Sequence, residues 1–300
     1  YYMGGIAMTH YRNYGLDFVA SYPLNRYQRL DYNQSYFVAS RELLNAADFD
    51  NPGAFNYSIN TTISSLSYVF DNVLWSYTAP MDGMRYRLQY DYVPKLNTIS
   101  PTFNTLSFDF RKYWKVDFDY HFLARLSTGT SWGKNPQNFM IGGIDNWLNY
   151  RYNPDAPIFG NSSGNFTDQM DIYYFSRFIT PVRGVRYFEK SGGNYFLLNF
   201  ELRYPFIEYA RLRFPLPINL YQVRGVWFTD IGAAWSGKLQ PYREQGILPF
   251  GNHYEDMVSS TGFGLRIFLG YFLLRTDLAW EYDGSGFSKP RYLFSIGGDL

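Results

Sequence analysis

The sequence predicts an all-β protein, an antiparallel β-barrel of about twelve strands that crosses a membrane. Three observations carry this expectation. Aromatic residues make up 21% of the 300 residues, with 30 Tyr and 27 Phe, while charged residues make up 18%. The mean hydropathy is nevertheless negative, at -0.31, and no apolar run reaches the roughly eighteen residues that a membrane-spanning helix needs. Many segments alternate apolar and polar residues, which is the period of a strand with two different faces. A closed sheet with an apolar outside, a polar inside and aromatic girdles accommodates all three.

The elements follow in chain order. After a faint strand at 2–9, residues 15–24 put Leu16, Phe18, Ala20 and Tyr22 on one face, and residues 29–42 set Leu30, Tyr32, Tyr36 and Val38 against Asp31, Asn33 and Ser35. A long loop over 43–59 contains the breaker Asn51-Pro52-Gly53. Segments 60–72 and 83–93 alternate most clearly; the second sets Met84, Tyr86, Leu88, Tyr90 and Tyr92 against Arg85, Arg87, Gln89 and Asp91. Four successive polar positions on one face suit a wet lumen, not a dry core. Residues 104–127 form two strands with a reversal near Lys115. A loop of about sixty residues, 134–193, precedes strands at 195–204, 224–236, 262–269, 271–282 and 290–300. Short turns alternate with long loops, as a barrel requires, except for the Pro-rich connection 206–223. Tyr92, Trp114, Trp280 and Tyr282 read as membrane-interface residues.

Several function classes drop out. A net charge of +1 with scattered basic residues gives no footprint for nucleic acid. Zero cysteines removes disulfides, thiol nucleophiles and cysteine metal sites. His10, His121 and His253 are too far apart for a metal motif, so no metal and no cofactor is expected. Gly129-Thr130-Ser131-Trp132-Gly133 fits a Gly-x-Ser-x-Gly hydrolase pattern, but a nucleophile elbow needs a strand, a sharp turn and a helix. No helical period follows it, and the chain is not expected to be an enzyme. Asp117 and Asp119 share a strand face, as acidic residues of a wet lumen do. The chain begins Tyr1-Tyr2-Met3 with no leader-like segment, which predicts a processed form or part of a longer protein.

The most informative stretch runs from Pro181 to Gly232. Arg183 beside Gly184 places a permanently charged, five-donor fork on a tight turn. Asp230 lies in the apolar strand segment Val226-Trp227-Phe228-Thr229-Asp230-Ile231, where a carboxylate needs a partner. The expectation is that the loop arginine reaches back to the strand aspartate. Arg186 is a rival donor, and Glu201 and Asp277 are rival acceptors.

With these residues in view, Val182-Arg183-Gly184, Phe228-Thr229-Asp230-Ile231-Gly232 and the terminal Phe294-Ser295-Ile296-Gly297-Gly298-Asp299-Leu300 resemble the barrel of the BamA/TamA superfamily, which includes two-partner-secretion transporters. The resemblance implies a transmembrane antiparallel barrel of sixteen strands. About twelve of them are visible here, and the first strands and a periplasmic domain lie outside this chain. It implies that the long loop 134–193 is extracellular and folds into the lumen, anchored by Val182, Arg183, Gly184, Phe228, Asp230 and Gly232, with Glu201 on the same inward face. It also implies a C-terminal seam and assembly signal at Phe294, Ile296, Gly297, Gly298 and Leu300. The implied activity is insertion or translocation of other polypeptides, or of lipids, at the outer membrane of a Gram-negative bacterium, with a periplasmic C-terminus. The alternative is a passive pore, or an anchor for a periplasmic propeller or lipase domain. Implied partners are outer-membrane lipid and lipopolysaccharide, a client polypeptide, and periplasmic or lipoprotein subunits. Two departures stand out: Val185 occupies a position where the family prefers an aromatic residue, and Leu300 stands where it prefers Phe or Trp.

Overall fold

The structure, a computed structural model, describes residues 9–44, 56–76, 79–117, 119–151, 175–212, 218–242, 253–269 and 272–297. Its strands are β1 (Thr9–Pro23), β2 (Gln28–Leu43), β3 (Tyr57–Asp71), β4 (Leu74–Trp75), β5 (Pro80–Val93), β6 (Phe103–Asp117), β7 (Tyr120–Gly133), β8 (Phe139–Ile141), β9 (Arg177–Ile179), β10 (Lys190–Gly192), β11 (Asn194–Leu212), β12 (Ile218–Trp235), β13 (Met257–Phe268), β14 (Leu273–Tyr282) and β15 (Arg291–Ile296). One antiparallel sheet runs in the order β1-β2-β3-β5-β6-β7-β11-β12-β13-β14-β15, with β4 paired to β5. Successive strands are neighbours, apart from the step from β3 to β5 past β4 and the step from β7 to β11 across the long loop.

The two faces divide as the alternation requires. Leu16, Phe18, Tyr22, Leu66, Leu88, Tyr90, Leu106, Trp227, Phe263 and Leu278 are exposed on one face. The other face buries polar groups, among them Ser65, Ser67, Asp91, Ser107, Arg125, Glu201, Arg266 and Asp277. Such a surface inverts the soluble pattern of apolar core and polar outside. It fits a wall with lipid on one side and water on the other. Tyr92 and Trp114 are exposed, and Trp280 and Tyr282 are half-buried.

Differences from the sequence reading have local causes. The faint strand 2–9 lies outside the described residues except for Thr9, which opens β1. The strand expected over 195–204 is longer: the pairing of β11 with β12 continues to Leu212↔Ile218 through a register shift between Pro205 and Ile207. Bulges are where a sheet tolerates proline, because the missing N–H costs no ladder bond there. Most of the expected 206–223 connection is therefore strand, with β11 running to Leu212 and β12 starting at Ile218, and residues 213–217 lie outside the described residues. Residues 204–212 have no partner in β7, whose pairing with β11 stops at Arg203↔His121. At its other end the sheet finishes on β15, Arg291–Ile296, and residues 298–300 of the expected strand 290–300 lie outside the described residues. The reversal expected near Lys115 lies after Asp117.

The long loop holds a small sheet that the alternation did not reveal: β8 pairs parallel with β9 and antiparallel with β10. Three-residue strands are too short to show a period. This loop touches the wall from β5 to β15, so the main sheet curls around it. Arg177 Nη1 approaches Asp91 of β5 at 3.7 Å and Ser107 of β6 at 3.3 Å. Arg125 of β7 donates to Thr180 O at 2.8 Å, and Arg291 of β15 donates to Gly184 O at 2.6 Å.

Candidate functional site

At the loop tip, Arg183 is almost completely buried, at 2% exposure. Its Nε and Nη2 donate to the two oxygens of Asp230 at 2.8 and 2.6 Å, a side-on fork, and its backbone N–H adds a third bond to Asp230 Oδ2 at 2.9 Å. Its remaining nitrogen, Nη1, donates to Glu201 Oε1 at 2.5 Å. The guanidinium carbon lies 3.8 Å from the centre of the Phe228 ring, a cation–π contact made in a dry setting. Glu201 is completed by Arg203, whose Nε and Nη2 donate to Oε2 at 2.9 and 2.7 Å. Asn199 Nδ2 bridges the groups, donating to Asp230 Oδ1 at 2.8 Å and to Pro181 O at 2.9 Å.

Two cations and two carboxylates thus form a neutral quartet. That balance matters because isolated buried charges would be strongly disfavoured, while charges paired through hydrogen bonds to both carboxylates are tolerated. Burial by itself pulls the Arg183 guanidinium down, but Asp230 and then Glu201 hold it above its ordinary range. The tip arginine is therefore permanently charged.

Local backbone explains the flanking glycines. Gly184 has φ of +79°, and a Cβ there would come within 2.7 Å of the Ala279 methyl group. On the facing strand, a Cβ at Gly232 would collide with the Ile141 side chain of β8. Val182 and Val185 are fully buried in an apolar cluster with Phe139, Ile141, Ile179, Tyr195 and Leu197. Val185 thus fills its position without an aromatic ring. The loop tip is seated by apolar packing above and ionic bonds below.

The structure brings Val182, Arg183, Gly184, Glu201, Phe228, Asp230 and Gly232 together. Both candidate acceptors are engaged at once, because the fork has nitrogens enough for Asp230 and Glu201. Of the rivals, Arg186 is exposed, and Asp277 accepts from Arg266 Nη1 at 2.7 Å. Phe294 and Ile296 lie in β15, and Gly297 follows it with its N–H bonded to Leu273 O at 3.1 Å. Gly298 and Leu300 lie outside the described residues. Sequence reasoning did not single out Asn199 and Arg203 within the strand 195–204. Their signal was available, since both sit two residues from Glu201 and so share its face.

Beside the tip is a cavity of about 300 Å³, lined by Arg87, Asp109, Arg111, Arg125, Arg177 and Asp277 among others. Asp109 bridges Arg111 at 2.8 Å and Arg125 at 2.6 Å. Ser131 lies within β7, where its hydroxyl accepts from Gln137 N at 2.8 Å and donates to Asn104 O at 3.2 Å. That is a strand's geometry, not a nucleophile elbow. His121 is buried with Nδ1 3.2 Å from Met81 O, and among the described residues no cluster has the makings of a metal site.

The chain matches the family model described as the Omp85 superfamily domain over residues 6–299. Among solved structures it is similar to the crystal structure of BamA from Haemophilus ducreyi lacking POTRA domains 1-3, with 14% identity and a TM-score of 0.57. That likeness covers 96% of this chain and 55% of the other, so this chain spans about half the length of the protein it resembles. No curated protein matches.

Proposed function

Since the chain belongs to the Omp85 superfamily, we propose that it is the barrel of an outer-membrane machine that inserts other polypeptides into that membrane or passes them across it. The observation that carries this reading is the locked loop. A tip held on the inward face of the wall by a buried ionic quartet favours a barrel whose loop lies in the way of a passive pore. Work on a client then has to proceed by releasing the loop or by using the edge of the sheet, where unpaired N–H and C=O groups accept a further strand. In this orientation the long loops face outside, and the short turns and the C-terminus face the periplasm. The lipid bilayer with its lipopolysaccharide, a client polypeptide, and periplasmic or lipoprotein subunits are the partners.

The experiment is reconstitution of the full-length protein in liposomes, followed by addition of a urea-unfolded outer-membrane barrel protein. Catalysed appearance of a protease-resistant, folded client is the expected outcome. A steady conductance in planar bilayers, unaffected by any client, together with no gain in client folding, supports the passive-pore alternative.

A further inference from the structure

The cavity beside the loop tip has one side where charge is matched and one where it is not. On the matched side Arg266 meets Asp277 at 2.7 Å, Arg183 and Arg203 meet Asp230 and Glu201, and Arg275 stands by Asp145, donating to its backbone O at 3.0 Å. The other side is the inward face of β5, β6 and β7, three neighbouring strands in the interior of the sheet, together with β9 of the loop. Register there sets like charges against one another: Arg85 lies opposite Arg111, and Arg111 lies opposite Arg125. Such rows destabilise a sheet unless something offsets them.

The chain supplies part of the offset. Asp71 takes Arg85 at 3.6 Å, Asp31 takes Arg29 at 3.1 Å, and Asp109 is shared by Arg111 and Arg125 at 2.8 and 2.6 Å. Arg87, two residues along β5 from Arg85, donates through Nη2 to a neutral hydroxyl, Ser67 Oγ, at 3.0 Å, and is otherwise exposed. Arg177 of β9 lies 3.3 Å from Ser107 Oγ and 3.7 Å from Asp91 Oδ2, while Gln89 Nε2 donates to the other oxygen of Asp91 at 2.6 Å. With the Arg85 and Arg29 pairs set aside, Arg87, Arg111, Arg125 and Arg177 share the carboxylates of Asp91 and Asp109. Two positive charges are left over.

All four of these arginines line the cavity of about 300 Å³. A recess lined by one sign of charge, with a low-dielectric wall behind it, concentrates ions of the opposite sign. Guanidinium forks match the oxygens of a phosphate group, and a phosphate monoester carries close to two negative charges near neutral pH. We propose that this cavity binds one phosphate group, held by Arg87 from the wall and Arg177 from the loop, with Arg111 and Arg125 adding charge. The anion joins two elements: it fastens β9 to β5, as Asp230 fastens the loop tip to β12. The group is either free phosphate or the phosphate monoester of a lipid headgroup. The site stands apart from the transport reading and is tested without a client.

The experiment is calorimetric titration of inorganic phosphate into the full-length protein in dodecyl maltoside micelles, with sodium chloride at about 0.15 M to screen loose surface attraction. Saturable uptake of one phosphate per chain is expected. No saturable heat beyond that given by sodium chloride of the same ionic strength overturns the proposal. The Arg87→Gln, Arg177→Gln pair is expected to weaken binding at least about tenfold, since two charge-assisted contacts are lost. Undiminished binding in that pair, folded as shown by the heat-dependent gel mobility of a barrel, contradicts the site. Arg177→Gln alone guards against misfolding, because its side chain is 37% exposed; unchanged affinity in it is equally fatal. Asp91→Asn keeps the side chain's shape and removes a carboxylate that competes for Arg177, so it should tighten binding several-fold, whereas weaker binding contradicts the assignment. Competition with dihexanoyl phosphatidic acid then separates the two sources: displacement of phosphate assigns the site to a lipid headgroup, and its absence assigns it to the free anion.

Discussion

Two arginine–carboxylate pairs in this molecule have the same chemistry and opposite weight. Arg183 and Asp230 meet at 2.6 Å with side chains 3% and 0% exposed, whereas Arg12 and Glu42 on the β1–β2 pair meet at 3.9 Å with side chains 57% and 55% exposed. Water screens the second pair and holds each partner nearly as well alone. Neither member of the first can be left without the other. The difference teaches that an ion pair matters here through what surrounds it, not through its presence in a strand.

The largest break in that comparison is Asp230→Ala. It strands Arg183 among buried groups and should cost about 3–5 kcal/mol, read as a fall in the thermal unfolding midpoint of the strand circular-dichroism signal. An Arg183→Asp, Asp230→Arg swap should recover only part of this, because Asp at 183 would face Glu201. Adding Glu201→Gln to the swap should recover more, and equal stability of the two constructions contradicts the quartet. Next comes Arg183→Lys, which keeps the charge but loses the fork and the Phe228 stacking; a loss of about 2–3 kcal/mol is expected in the same melt. Gly184→Ala should cost about 1–3 kcal/mol through the left-handed backbone and the approach to Ala279. At the other extreme, Glu42→Ala should stay within about 0.5 kcal/mol of the parent, and a larger shift would show that the exposed pair had been undervalued.

How far the sequence foretold these features depended on the length over which each signal is spread. Strands such as β5 and β14 declare themselves because alternation persists for ten residues or more. Arg183 and Asp230 were legible as a pair because each is anomalous alone: a charge on a tight turn, and a carboxylate in an apolar strand. Asn199 was not, since an inward asparagine is unremarked in a polar interior until its register opposite Asp230 is known. The length of β11 beyond residue 204 was not legible either, because a bulge after Pro205 lets the strand run on where alternation is broken.

The same bulge has a mechanical consequence. Beyond Pro205, β11 has no β7 beside it, and β12 is paired to β13 only from Tyr221 onward, so the last three pairs of this hairpin, from Ala210↔Leu220 to Leu212↔Ile218, form a two-stranded ribbon. Ribbons of that kind are marginal by themselves in water. Its ladder should therefore fray first, with deuterium entering at Arg211 well before Leu197 or Phe228, while the wall below it stays whole.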